Sequence, residues 1–247
     1  MNNCSCGQPA ISERGLCETH FCDWLEALVW KTVEDFSMIN PGERVLVAAS
    51  GGKDSLTLLH ILAKKYDVTA FCVDEGIAGY REKTIADLER FCKARNIPLL
   101  IKSFANEKGT TLDALHAPHP CTNCGIWRRE LIASTARDFA VVATGHNLDD
   151  EAQAVMMNMA RHHAMRPQPV LPANEMFVRR IKPLYFVPEA DVRRYAYIHD
   201  FVSSFVECPN APISFRRAIQ EFLQYVETAH PGSKEALLRR YVASLSP

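Results

Sequence analysis

Hydrophobic and polar positions change rhythm near residue 40. From 23 to 38, Trp24, Leu25, Leu28, Val29, Thr32, Val33 and Phe36 recur at helical spacing, which predicts one helix with an apolar face. Asn40-Pro41-Gly42 ends it. Beyond that point short apolar runs alternate with amphipathic ones. The runs 44–49, 68–73, 98–103 and 139–144 read as strands, and 55–65, 80–95, 123–137 and 148–161 as helices between them. Helices at about 188–199, 214–228 and 233–245 close the chain, whereas 162–187, with Pro167, Pro169, Pro172 and Pro183, reads as irregular. Such alternation predicts an α/β fold with a doubly wound parallel sheet. Ligands bind these sheets outside the carboxyl ends of the strands.

The first strand empties into Ser50-Gly51-Gly52-Lys53-Asp54-Ser55. Glycines let the backbone approach an anion, and the unpaired N–H groups of a helix's first turn point at it. Ser50 and Ser55 add hydroxyls and Lys53 a positive charge. Asp54 beside phosphate is repulsive unless Mg²⁺ lies between them, so the loop predicts a nucleotide bound with its metal. The spacing is not that of the Walker loop. Val73 and Asp74 end the second strand, and Gly145, His146 and Asp149 follow the fourth, so they join the loop as candidate nucleotide contacts in one crevice. A tight turn without ligand is the bland alternative.

Charge and cysteine usage narrow the partners. Among 247 residues, 28 Lys and Arg face 29 Asp and Glu, so a nucleic-acid partner has to be met by a local patch. The start, Met1-Asn2-Asn3-Cys4, is polar and lacks an apolar leader, and no apolar run is long enough to cross a bilayer. A cytoplasmic protein with no membrane partner is expected, and nine cysteines there point to metal rather than disulfides.

The cysteines fall into two groups. Cys4, Cys6, Cys17 and His20 favour a closed tetrahedral structural zinc, with Cys22 as an alternative ligand. Cys121 and Cys124 form a C-x-x-C pair that needs a third ligand, for which Cys208 beside Pro209 is the best candidate. Three thiolates suit an iron–sulfur cluster with one iron open, although C-x-x-C also serves zinc and redox disulfides. Cys72 and Cys92 read as small buried hydrophobes.

Together these pieces resemble the TtcA/TtuA family of tRNA 2-thiolation enzymes within the PP-loop ATP pyrophosphatases, nearest the TtuA and archaeal wobble-uridine thiolase branch. The resemblance rests on Cys17-Glu-Thr-His20-Phe21; Ser50-Gly-Gly-Lys-Asp-Ser55; Asp74-Glu-Gly-Ile-Ala-Gly-Tyr-Arg81; Cys121-Thr-Asn-Cys124-Gly125 with Arg128-Arg129; Gly145-His-Asn-Leu-Asp-Asp-Glu-Ala-Gln153; Arg180-Ile-Lys-Pro-Leu184; and Glu207-Cys208-Pro209. It implies ATP, Mg²⁺, a 4Fe–4S cluster on Cys121, Cys124 and Cys208, zinc at the N-terminus, and tRNA as substrate. It also implies a sulfur donor, either sulfide or a ubiquitin-like thiocarboxylate carrier, and a homodimer.

The implied reaction is adenylation of the 2-oxygen of a tRNA uridine or cytidine, then sulfur transfer with release of AMP and pyrophosphate. Asp150 matches the family's catalytic acidic position, while Asp149 shares that role or only caps its helix. Arg128 stands where TtuA-type relatives carry lysine; since arginine stays charged, it clamps phosphate or a developing oxyanion rather than acting as a base.

The expected organisation is a zinc-finger-like segment at 1–22, a linking helix at 23–40, the catalytic domain at 41–210 and C-terminal helices at 211–247, without the second zinc finger that often closes the branch. Most of the recurrent arginine pairs read as solvated faces, and Arg161-His162-His163 with Arg166 as the patch for the tRNA backbone. Two rival readings stay open: a lysidine synthetase-like PP-loop ligase whose cysteines hold zinc only, and a non-catalytic tRNA-binding module.

Overall fold

The computed structural model describes residues 3–116, 120–161, 167–202, 208–210 and 215–245. Helix α1 (Glu18–Asp35) starts five residues ahead of the predicted 23 and runs unbroken past the edge expected for the zinc-finger segment. It buries Phe21, Leu25, Val29 and Val33, the apolar stripe read from the sequence. The α/β part follows as β1 (Val45–Ala48), α2 (Lys53–Leu62), β2 (Val68–Asp74), α3 (Arg81–Arg95) and β3 (Leu99–Ser103). Then come α4 (Phe104–Lys108), α5 (Pro120–Thr135), β4 (Val141–Thr144) and α6 (Leu148–Ala160).

The segment expected to be irregular contributes two strands, β5 (Val170–Leu171) and β6 (Arg179–Ile181). Runs of two and three residues carry no readable alternation, and Pro169, Pro172 and Pro183 flank them rather than interrupt them. Helices α7 (Glu189–Ile198), α8 (Phe215–Ala229) and α9 (Ser233–Ala243) complete the described chain. His162, His163, Arg166 and Glu207 lie outside the described residues.

The strands order as β3-β2-β1-β4-β6-β5, all parallel except β5 at the edge. The sheet is covered on both faces. Val45 and Val47 enter one apolar cluster with α1, α2 and α7, while Leu46 enters the other with Phe71, Phe104 and Leu131. A third cluster joins Leu148, Ala152 and Val155 of α6 to Leu223 of α8 and Leu238 of α9. The strand order reverses between β1 and β4, so the crevice at their carboxyl ends is where a ligand is expected.

Candidate active site

The phosphate loop lies at that reversal. Helix α2 starts at Lys53, two residues earlier than predicted, with Gly52 as its extended N-cap. Lys53, Asp54 and Ser55 therefore form the first turn, whose N–H groups lack helical partners. Ser55 Oγ donates to the Gly52 carbonyl at 3.0 Å, and Gly52 N–H to Ser50 Oγ at 3.4 Å, so the loop is tied to itself. Gly51 holds φ +83°, and a Cβ there would fall 1.9 Å from the Thr84 carbonyl oxygen. Gly145 lies as close on the other side: its Cβ would meet the backbone of Asp54 and Ser55 at 3.0 Å.

A cavity of about 660 Å³ opens over the loop, a size suited to a nucleotide. Ser50, Asp54, Ser55, Val73, Gly145, His146, Asp150 and Arg128 line it, all among the residues singled out from the sequence. Lys53 points sideways, its Nζ 2.9 Å from both Asp54 and Glu189 of α7. Burial disfavours its charge, but the two carboxylates outweigh this and raise its pKa. Asp74 spends Oδ1 on the Gly76 N–H at 2.9 Å, in a turn that ends β2.

Asp149 and Asp150 face different ways. Asp150 opens to the cavity in a capping box with Asn147, whose Oδ1 accepts the Asp150 N–H at 3.1 Å. Burial by the cavity walls pushes its carboxyl up to about 6, against the pull of Arg216, whose NH1 donates to Oδ1 at 3.0 Å. Asn147 Nδ2 also donates to Asp54 Oδ1 at 2.9 Å, so one side chain spaces both acids. Two carboxylates on a phosphate cavity have the hard oxygen character that Mg²⁺ takes. The Asp149 carboxylate turns away from this cavity: Oδ2 accepts the Glu189 N–H at 2.8 Å and Oδ1 takes Lys234 Nζ at 2.6 Å.

The second group of cysteines edges the same cavity through α5. Gly125, Arg128 and Arg129 are cavity residues, and Cys124 packs partly buried beside Cys208 in the apolar cluster under α5. Cys121 Sγ lies 3.9 Å from the Asn210 carbonyl oxygen, two residues past Cys208. Burial, with Glu75 and the neighbouring Cys208 and Cys121, pushes the Cys124 thiol up to about 11 despite Arg128. A thiolate so disfavoured needs a cation; the three cysteines are neighbours on two segments, although their sulfurs are not gathered as closely as the N-terminal ligand set.

At the N-terminus, Cys4, Cys6, Cys17 and His20 hold their ligand atoms within 4.8 Å of one another, the one such set among the described residues. Cys4 Sγ is 3.1 Å from His20 Nδ1, and Cys6 and Cys17 sulfurs are 3.6 Å apart. Tetrahedral zinc asks for ligand atoms about 3.5–4 Å apart, so these four fit it. Cys22 is not part of the set; its sulfur faces His199 Nε2 at 3.7 Å.

Several residues of the cavity and its frame were given no site role in the sequence reading. Arg216 belongs to a pair read as a solvated face, yet one of its two arginines bonds Asp150 while Arg217 pairs with Glu221 outside. Arg180 and Lys182 also line the cavity. Asn147 had a signal, an Asx residue three places before an acid at a helix start. Arg81 and Glu75 fall in the 74–81 stretch that carries the family resemblance, but their pairing had no signal, since a buried ion pair looks like any other pair of charges in sequence.

The Ser50–Ser55 loop under a cavity at the switch point of this sheet points to a PP-loop protein, and the PP-loop domain family matches residues 25–221. The tRNA-5-methyluridine(54) 2-sulfurtransferase of Thermus thermophilus is 34% identical, aligned over 98% of this chain and 80% of its own length. The tRNA 2-thiolation protein NcsA of Haloferax volcanii is 30% identical over 96% of this chain and 84% of its own. The U34-tRNA thiolase NcsA of Methanococcus maripaludis, solved with its [4Fe-4S] cluster, superposes with a TM-score of 0.85 at 32% identity, over 99% of this chain and 87% of that one. The chain belongs to the TtcA/TtuA family of PP-loop tRNA 2-thiolation enzymes.

Proposed function

We propose that the protein is an ATP-dependent tRNA 2-thiolase that adenylates the 2-oxygen of a tRNA uridine or cytidine and replaces that oxygen with sulfur. One observation carries the reading: the phosphate loop, Asp150 and the α5 cysteine segment edge a single cavity. The likeness to named thiolases supports the choice of RNA as substrate.

The residues divide the work. The first turn of α2 and the Ser50 and Ser55 hydroxyls cradle the β- and γ-phosphates, leaving the α-phosphorus open to the base. The 2-oxygen attacks it, the bond to the β-phosphate oxygen breaks, and pyrophosphate leaves. Asp54 and Asp150 would hold a Mg²⁺ ion, which would neutralise charge on the phosphates. Arg128 clamps the anionic oxygens from the α5 side. Cys121, Cys124 and Cys208 would hold the iron–sulfur cluster, which when bound would supply the sulfur chemistry. Sulfur bonds to carbon 2, and AMP departs with the original oxygen. Zinc on Cys4, Cys6, Cys17 and His20 is structural. The donor that reloads sulfur is sulfide or a thiocarboxylate carrier, and the working form is a homodimer.

The deciding experiment incubates anaerobically reconstituted protein with tRNA, ATP and sulfide, and follows AMP and 2-thio nucleosides by mass spectrometry. Both should appear together. A colourless, zinc-only protein that forms no AMP would refute the reading.

A further inference from the structure

Glu75 ends in the cavity with a side chain only 6% exposed, and it stands between two guanidinium groups. Arg81 Nε is 2.7 Å from one carboxylate oxygen and Arg128 NH1 is 3.6 Å from the other. The two arginines are not equivalent. Arg81 is 3% exposed and fixed: NH1 donates to the Ser50 carbonyl at 2.8 Å, and NH2 to the Val73 carbonyl at 2.6 Å. Arg128 is half exposed and lines the cavity, one helical turn past Cys124.

The backbone under Glu75 is equally fixed. Its carbonyl accepts the Leu112 N–H at 2.8 Å, and Gly76, at φ +68°, leaves no room for a Cβ beside Thr111. Glu75 is therefore a rigid post, with Arg81 as its permanent counter-ion and Arg128 as the movable one. A buried carboxylate is tolerated only when paired, and Arg81 supplies the nearer charge, although its Nε and Glu75 Oε2 are not aligned as a hydrogen bond. The guanidinium of Arg128, farther off and half exposed, is held at the cavity wall and can turn to an anion.

We propose that Glu75 is a positioning residue for Arg128: it aims the guanidinium into the cavity and, through Arg81 and the Ser50 carbonyl, ties the α5 cysteine helix to the phosphate loop. The inference rests on the thiolase reading above. Its ligand is the anion that develops at the phosphate or the 2-oxygen, and the fork of Arg128 suits two oxygens at once.

A double-mutant cycle tests it, with Glu75→Gln, Arg128→Lys and the pair, read as kcat and KM for thiolation. ATP affinity of the cluster-free protein and melting temperature serve as controls. Each single change should lower kcat by about 10- to 100-fold, the usual effect of misplacing a catalytic group by about 1 Å. The double variant should lose no more than the worse single one, and its ATP affinity should fall no further than that of Arg128→Lys alone. Glu75→Asp keeps a counter-ion for Arg81, so it folds even where Gln does not; it should cost about 10-fold in kcat by drawing the carboxylate back. Losses that multiply in the double variant, or a Glu75→Asp variant with full kcat, would overturn the proposal. A wild-type protein that makes AMP but no 2-thio nucleoside would overturn the thiolase reading, and this inference with it.

Discussion

Arg216 of α8 donates to Asp150 Oδ1 at 3.0 Å across the cavity, from a helix that follows the Cys208 segment. The acid that faces the cavity is thereby held by a residue 66 positions away. The pair sets a pH dependence with a definite sign. Burial raises the folded carboxyl to about 6 and Arg216 lowers it. AMP formation should rise with pH through a midpoint at or below about 6 as Asp150 ionises, since Mg²⁺ on the carboxylate favours ionisation. Arg216→Ala should shift that midpoint upward, since the cation that favours ionisation is gone. Asp150→Asn should lower the rate by about 100-fold or more and abolish this limb. Stability moves the other way. A folded pKa above the unfolded value makes the native state bind the proton more tightly, so stability falls as pH rises from about 4 to about 6. Thermal melting between pH 4 and 7 should show a fall in wild type that Asp150→Asn lacks.

Asp149 should behave as a structural acid. It caps the start of α7 and neutralises Lys234, whose side chain is 11% exposed. Asp149→Asn leaves that ammonium largely buried beside a weaker partner. A loss of about 2 kcal/mol is expected from one charged hydrogen bond, or roughly 4–8 °C in melting temperature for a chain of this size. The kcat at 25 °C should stay within about twofold. A 100-fold loss of kcat with unchanged melting would place Asp149 in the chemistry instead.

Gly145→Ala tests how tightly β4 abuts the phosphate loop. The new Cβ would lie 3.0 Å from the backbone of Asp54 and Ser55, so the first turn of α2 has to move by a few tenths of an ångström. The KM for ATP should rise about tenfold with melting little changed, because the anion site depends on where those N–H groups point. Gly51→Ala is harsher: a contact of 1.9 Å with the Thr84 backbone and a left-handed φ leave no small adjustment. Its soluble yield should collapse.

The parts of this fold set by local rules were legible in the chain. The strand–glycine–helix signal placed the phosphate loop, and alternation placed four strands within two residues of where they lie. Long-range pairing was not legible. Nothing in the sequence around Arg216 distinguishes it from Arg217, although one enters the cavity and the other pairs on the surface, because only the turn of α8 against α6 separates them. The pairing of Arg81 with Glu75, both inside a quoted motif, was hidden for the same reason, and β5 and β6 because runs of two and three residues have no period. The cysteines were legible as groups, since ligand type and spacing are local, but the exclusion of Cys22 depended on α1 turning it toward His199.

That separation predicts opposite outcomes for two cysteine changes. Cys17 is 6% exposed at the head of α1, and its sulfur sits 3.6 Å from both Cys6 Sγ and His20 Nδ1. Metal there would join the turn at residues 4–8 to the helix that carries Phe21 and Leu25 into the core. Cys17→Ser should release zinc, lower the melting temperature by several degrees, and leave the visible absorption of the reconstituted cluster in place. A strong chelator acting on wild type should reproduce the melting change. Cys208 is a loop residue that meets the apolar cluster only at its margin, so Cys208→Ser should melt like wild type. It should, however, fail to hold iron under anaerobic reconstitution, and its thiolation should fall to background while zinc stays at one per chain. Elemental analysis with absorption and melting on both variants separates the two sites, and a Cys208→Ser protein that still binds a full cluster would remove this residue from the ligand set.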